Sequence, residues 1–207
     1  MKKLIAILLL VCLLPLCALA ETDEDGGVTV ALDGAEIYFV PMEGHCLTRE
    51  SSASVFNRLG MSQRDIVPWM EQNDVYALLF SETLDVQIQI VAHPNTEVDF
   101  DEQSQFGLDM MCEAIENYYV TEGYDVESSE MCHTPNGHSY VRTSGTYIYE
   151  DGYVENMTEF FTCQSGYSVY VVMFTLEGAP TEEQIILCEG VVDSLWVSAN
   201  ASSGVTD

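Results

Sequence analysis

The chain has 207 residues, with 34 acids against six lysines and arginines and a formal net charge of −28. Nucleic-acid phosphates and anionic lipid headgroups are held by arrays of Lys and Arg, so this balance excludes both as partners and favours cations or a basic protein surface. The length suits one domain with a real hydrophobic core.

The N-terminus, MKKLIAILLLVCLLPLCALA, carries two lysines, an apolar run from Leu4 to Leu19, and the small residues Ala18 and Ala20 where a signal peptidase reads. Residues 1–20 are therefore read as a secretory signal peptide cleaved near Ala20, which makes the mature chain secreted or extracytoplasmic. Lipid anchoring at Cys17 is the competing expectation; acylation sites want a small residue where Leu16 stands, and cleavage is preferred. No later stretch approaches the ~18 consecutive apolar residues of a membrane helix, so the mature chain is not expected to insert directly. Cleavage removes both lysines and leaves Arg49, Arg58, Arg64 and Arg142 as the cations. Cys46, Cys112, Cys132, Cys163 and Cys188 also remain. Export permits disulfides, and the odd number leaves a thiol over unless it bonds elsewhere.

Residues 21–27, ETDEDGG, read as an acidic flexible leader, and 198–207 as a disordered tail with nothing to bury. Between them a single domain is expected over 28–197, opening with VTVAL and EIYFV as two strands about the turn dipeptide Asp33-Gly34. A helix follows within 61–72, started either at Ser62 or, so that Pro68 falls in its first turn, at Asp65. DVYALLF and DVQIQIV read as paired strands; in the second, Val86, Ile88 and Ile90 are expected inside and Asp85, Gln87 and Gln89 wet. A helix over about 102–121 closes at Gly123, with Leu108, Met111, Cys112, Ile115, Tyr118 and Tyr119 at helical spacing. Four strands are expected at about 124–131, 138–149, 153–164 and 167–176, the last apolar on both parities and hence covered on both faces. Pro180-Thr181-Glu182-Glu183-Gln184 then starts a capped helix with Ile185, Cys188, Val192 and Leu195 on its stripe. Strands in runs with helices inserted between them predict an α+β fold, an antiparallel β-sheet flanked by helices on both faces.

The order of these segments resembles the PsbP-like fold, named for an extrinsic subunit of photosystem II and shared by secreted and lipid-anchored bacterial proteins. The resemblance rests on EIYFVP running into a glycine loop, DVQIQIV, ENYYVTEGYDV, GMSQRDIVPWMEQNDVYALL and the closing GAPTEEQIILCEGVVDSLWV. Pro68 departs from the short acidic helix usual in such members. The resemblance implies an α/β/α sandwich and a non-catalytic binding or accessory role toward an extracytoplasmic protein or cell-envelope component. It carries over no catalytic residue and no cofactor.

Chemistry-bearing residues are few. Two Cys-His neighbours, His45-Cys46 and Cys132-His133, stand apart from the closely spaced ligand pairs of zinc sites, and adjacent strand residues point to opposite faces. With His138 across the TPNG turn, His133 still defines a metal candidate, joined by Asp99 and Asp101 of EVDFDE, a segment that lacks the glycine and distal glutamate of a calcium loop and also reads as a helix start. A divalent-cation-binding protein or metal-assisted hydrolase is the alternative function. If the strands ending at Cys132 and Cys163 both pair with the strand after His138, they sit too far apart to bond, and Cys46, in the loop after the second strand, is expected to bridge Cys132. No G-x-S-x-G elbow is present, and among 34 acids a carboxylate pair arises by chance. Tyr140, Tyr147, Tyr149, Tyr153, Tyr167 and Tyr170 read either as a recognition platform or as core packing. Arg49, Arg58 and Arg64 fall close enough in sequence to form the one cationic patch of an anionic body.

Overall fold

The computed structural model describes residues 26–95, 98–175 and 178–199. The expected signal peptide at 1–20 with Cys17, most of the expected leader at 21–27, and the expected tail beyond Ala199 lie outside the described residues. Among those described, no helix is long and apolar enough to cross a membrane.

The first two strands, β1 (Val28–Ala31) and β2 (Ala35–Phe39), pair antiparallel about Asp33-Gly34, whose glycine takes φ 82° as that turn demands. The expected domain edge at Val197 falls short by two residues. Trp196–Ala199 forms a strand on the free side of β2, taking Ser198 and Ala199 from the supposed tail. Ile37 and Phe39 on β2 are fully buried, and a buried strand needs its backbone donors and acceptors met on both edges.

Seven strands form the main sheet: β3 (Gly44–Thr48), β4 (Val75–Ser81), β5 (Val86–Pro94), β6 (Asp125–His133), β7 (Ser139–Ile148), β8 (Val154–Gln164) and β9 (Tyr167–Thr175). Their spatial order is β3-β4-β5-β9-β8-β7-β6, every pair antiparallel. The Trp196–Ala199 strand of the small sheet is β10. GHCL is therefore not loop but edge strand β3. At its start a Cβ on Gly44 would stand 2.1 Å from the Phe80 carbonyl oxygen, so no other residue fits there without moving backbone. Strand β9 lies centrally between β5 and β8, which is why both its parities are apolar. Centrality also overturns part of the β5 expectation: Gln89 is 4 % exposed rather than wet.

Among the described residues the α-helices are α1 (Ala53–Arg58), α2 (Gln63–Gln72), α3 (Gln105–Glu122) and α4 (Glu182–Ser194). Helix α1 was not foreseen; at six residues it is too short for periodicity to reveal. Ser62 is the N-cap of α2, so Pro68 stands inside the helix. Helix α3 has Ser104 as N-cap and ends at Gly123 in the left-handed conformation, and α4 begins in a complete capping box between Thr181 and Gln184.

Packing follows strand parity. On β9, Val169, Val171 and Met173 join Ile88, Ile90, Phe160, the small sheet and Cys188, Val191, Val192 and Leu195 of α4 in the main core. Leu78, Phe80 and Leu47 pack with Phe56 and Met70 of α1 and α2. The remaining parity of β7–β9, including Val141, Phe161, Val172 and Tyr170, packs with Leu108, Ile115 and Tyr119 of α3.

Candidate functional site

MCHTPNGH closes as the β6–β7 turn: the Thr134 amide donates to the His138 carbonyl at 2.9 Å and the Gly137 amide to that of Thr134. His138 Nδ1 lies 2.7 Å from Asp101 Oδ2, while the Ser139 amide donates to Asp101 Oδ1 at 3.2 Å. Asp99 caps the 3₁₀ turn Phe100–Glu102 by accepting from the Asp101 amide at 3.0 Å, and its other oxygen accepts from the Ser165 amide at 3.2 Å. The structure thus brings Asp99, Asp101 and His138 together, with both carboxylates committed to backbone amides. They tie the 3₁₀ turn to the β6–β7 and β8–β9 turns. His133 Nδ1 lies 3.2 Å from Ser139 Oγ instead. Among the described residues no group of three His, Cys, Asp or Glu is disposed to hold a metal ion.

The expected Cys46–Cys132 bridge is corrected by topology. Cys46 is on β3 and Cys132 on β6, the two edge strands of the seven-stranded sheet. Six inter-strand spacings put them roughly 29 Å apart, against the ~7 Å a disulfide tolerates. All five described cysteines are free thiols. Cys132 and Cys163 do lie two strands apart, on β6 and β8 to either side of β7. Burial pushes the Cys46 thiol up to about 12 and raises that of Cys188 further, so neither offers a thiolate near neutral pH.

The three clustered arginines do not act alike. Arg49 is spent internally: its Nε donates to the Val75 carbonyl at 2.7 Å, Nη2 donates to that of Met70 at 3.1 Å, and its guanidinium carbon sits 3.9 Å from the Tyr76 ring centroid. It staples the end of α2 to β4. Arg58 and Arg64 are exposed on α1 and α2, and Arg64 borders an open groove with Ala53, Asn57 and Met61.

A polar cleft with no local signature in the sequence opens where α4 begins. Its floor is the outer ends of β6, β7 and β8, its wall Ala179, Pro180 and Ile185, and its volume about 240 Å³. Register places Ser128, Ser144 and Thr158 in one cross-strand rank and Thr146 with Asn156 in the next but one. Ser144 and Thr158 hydroxyls are 3.1 Å apart, and the Thr146 hydroxyl donates to Asn156 Oδ1 at 3.3 Å. Arg142, the one cation lining it, is neutralised by Glu130 on β6 and by Glu189 on α4, the latter at 2.8 Å. Only strand pairing assembles these ranks, since their members are scattered over thirty residues of sequence.

Sequence reasoning also missed two buried carboxylates. Glu155 and Glu159 on β8 are 2 % and 4 % exposed and share the face that packs under α3. Tyr119 of α3 donates its hydroxyl to Glu159; Tyr124 and Tyr149 donate to Glu155 at 3.0 and 2.7 Å. Burial pushes Glu159 up to about 7 against the pull of the Tyr119 hydrogen bond, and it raises Glu155 as well. Tyr119, Tyr124, Tyr147, Tyr149 and Tyr153 make a continuous ribbon of ring contacts across this seam. The tyrosines are therefore mainly packing and hydrogen-bond donors. Four residues of strand separate the two glutamate backbones by ~13 Å, so they are no catalytic dyad in their own right. The available signal was their i, i+4 placement in VENMTEFFTCQ, on the same strand face as Met157 and Phe161.

No family model and no curated protein sequence matches the chain. Among solved structures it is similar to the solution structure of cyanobacterial PsbP (CyanoP) from Synechocystis sp. PCC 6803, at 12 % identity and a TM-score of 0.44, covering 89 % of this chain and 99 % of that one.

Proposed function

We propose that the chain is a non-catalytic extracytoplasmic binding or accessory module for an extracytoplasmic protein or cell-envelope component, and that the cleft beside α4 receives a small, neutral, hydroxyl-rich group. The observation that carries this reading is the cleft floor, two ranks of hydroxyl and amide side chains that both donate and accept. An anion finds no free cation there, because Arg142 is already paired twice. Glu127 also lines the cleft and adds negative charge against an anion. Ala179, Pro180 and Ile185 offer an apolar wall to the C–H face of a sugar ring, and a volume below the ~300 Å³ of drug-sized pockets limits the guest to a ring or two. Support for a non-catalytic role comes from the groups chemistry would draw on. Asp99, Asp101 and His138 join turns, and Glu155 and Glu159 are sealed under tyrosines. Strand parity supports a three-layer α/β/α reading, with α1, α2 and α3 over one face of the long sheet and α4 with the small sheet over the other.

Amide-resolved NMR titration with glucose, cellobiose and glucuronate tests it. Shifts confined to 128, 142–146, 156–158 and 179–185, stronger for the neutral sugars and lost in Thr158→Val, are expected, with cellobiose recovered intact. A stronger response to glucuronate, no localised response, or cleavage of cellobiose would each refute the reading.

A further inference from the structure

Helix α3 shows apolar side chains on the side away from the sheet as well as toward it. Leu108, Ile115 and Tyr119 face the sheet, yet Phe106 is 72 %, Met110 56 % and Val120 55 % exposed. A helix that is apolar on opposite sides is usually covered on both. At 100° per residue, Phe106, Met110, Glu113, Asn117 and Val120 fall within about 80° of one another, on a line opposite Ile115. Their separations run four, three, four, three. That is the seam spacing by which one helix meets another along its length, with two polar positions, Glu113 and Asn117, between the apolar ones. Asp109 and Glu116 border the seam on one side, Glu113 lies within it, and α3 contains no basic residue.

Charge decides among occupants. A second copy would bring another −28, and an anionic membrane would repel the same acids. We infer that the outer face of α3 is a docking surface for a basic amphipathic helix of a partner protein, whose apolar residues cover Phe106, Met110 and Val120 and whose Lys or Arg residues meet Asp109, Glu113 and Glu116. This surface is separate from the α4 cleft and does not depend on it. Helix α3, with 18 residues, is about 27 Å long and accommodates four turns of such a partner. Its underside is held by the Tyr119–Glu159 bond and by apolar packing, so the outer residues can be changed without touching the core.

The test uses the full mature chain and two synthetic amphipathic helices, with leucine at the seam positions and either lysine or glutamate flanking them. The lysine peptide is expected to perturb amides of 105–122, with binding that weakens on the order of tenfold as salt rises from about 50 to about 500 mM. Phe106→Ser with Met110→Ser should weaken it about tenfold or more, and Glu113→Lys should narrow the preference for the lysine peptide over the glutamate peptide. Both seam serines are placed at exposed positions, and an unchanged melting profile verifies the fold. Perturbation spread over every acidic face, or equal binding by the double-serine variant, would show only diffuse charge attraction and overturn the inference. Self-association that the double-serine variant abolishes would make the occupant a second copy and overturn it as well.

Discussion

Replacing Glu159 by Gln tests the buried seam beneath α3 most directly. The carboxyl is 4 % exposed and is pushed up to about 7 from an ordinary value near 4.5. Its folded state therefore binds a proton more tightly than the unfolded chain does. The stabilisation from that proton is complete below about 4.5, declines as pH rises toward 7, and is gone above it. A difference of about 2.5 units, at 1.36 kcal/mol per unit, corresponds to ~3.4 kcal/mol over the whole window. Between pH 5 and pH 8, which keeps clear of the isoelectric point near 4.1, the share expected is about 2.5 kcal/mol. Urea denaturation of the wild type and of Glu159→Gln at those two pH values measures it. Other acids also titrate, so the quantity of interest is the difference between the two proteins' pH dependences. Glutamine keeps an acceptor for the Tyr119 hydroxyl and carries no charge; the variant should lose about 2.5 kcal/mol of pH dependence whatever its stability at pH 5. Identical pH dependence in the two proteins would show that Glu159 is not protonated on folding and would refute the account of the seam.

Other expectations follow from the same packing. Asp85 is held down at about 2 by hydroxyls of Thr83 and Ser81, with Gln184 of α4 adding a third donor at 2.8 Å. Its stabilisation is present above about 4 and lost as pH falls through about 2, so Asp85→Asn should flatten the acid limb of a melting-temperature profile; an unchanged limb contradicts the tie. Phe56→Ala, at a fully buried position under α2, should cost roughly 3–5 kcal/mol in urea titration, and a loss below about 1 would mean that α1 is not packed on the sheet. Intact-mass analysis after alkylation in denaturant should find Cys46, Cys112, Cys132, Cys163 and Cys188 all reactive without reductant; under native conditions the buried Cys46, Cys163 and Cys188 should react last. A Cys46–Cys132 bridge recovered by peptide mapping would overturn the strand order.

Local chemistry made much of this chain legible. The inward Val86, Ile88 and Ile90 of VQIQI, the two-sided apolar run YSVYVVMFT, the capping box at Thr181 and the glycine after α3 each act within a few residues, and each stands where the sequence placed it. The antiparallel α+β class follows from their order. What depends on neighbours far along the chain was not legible. GHCL looked like loop because its partner, β4, begins 31 residues after it starts. Ser198 and Ala199 looked like the start of a tail because β2, the partner of their strand, lies some 160 residues away.

The candidate site shows the same division. That the body is acidic and that Asp101 and His138 belong to turns could be read directly from composition and local motif. Whether His138 met Asp101, whether Cys46 met Cys132, and whether Glu159 met water or Tyr119 are questions of distance in space. Strand order and the packing of α3 and the turns answered them. A strand's own residues determine which side chains share a face, because the pleat alternates every residue; which strand lies beside it is a balance of burial over the whole sheet, and no short stretch of sequence contains that balance.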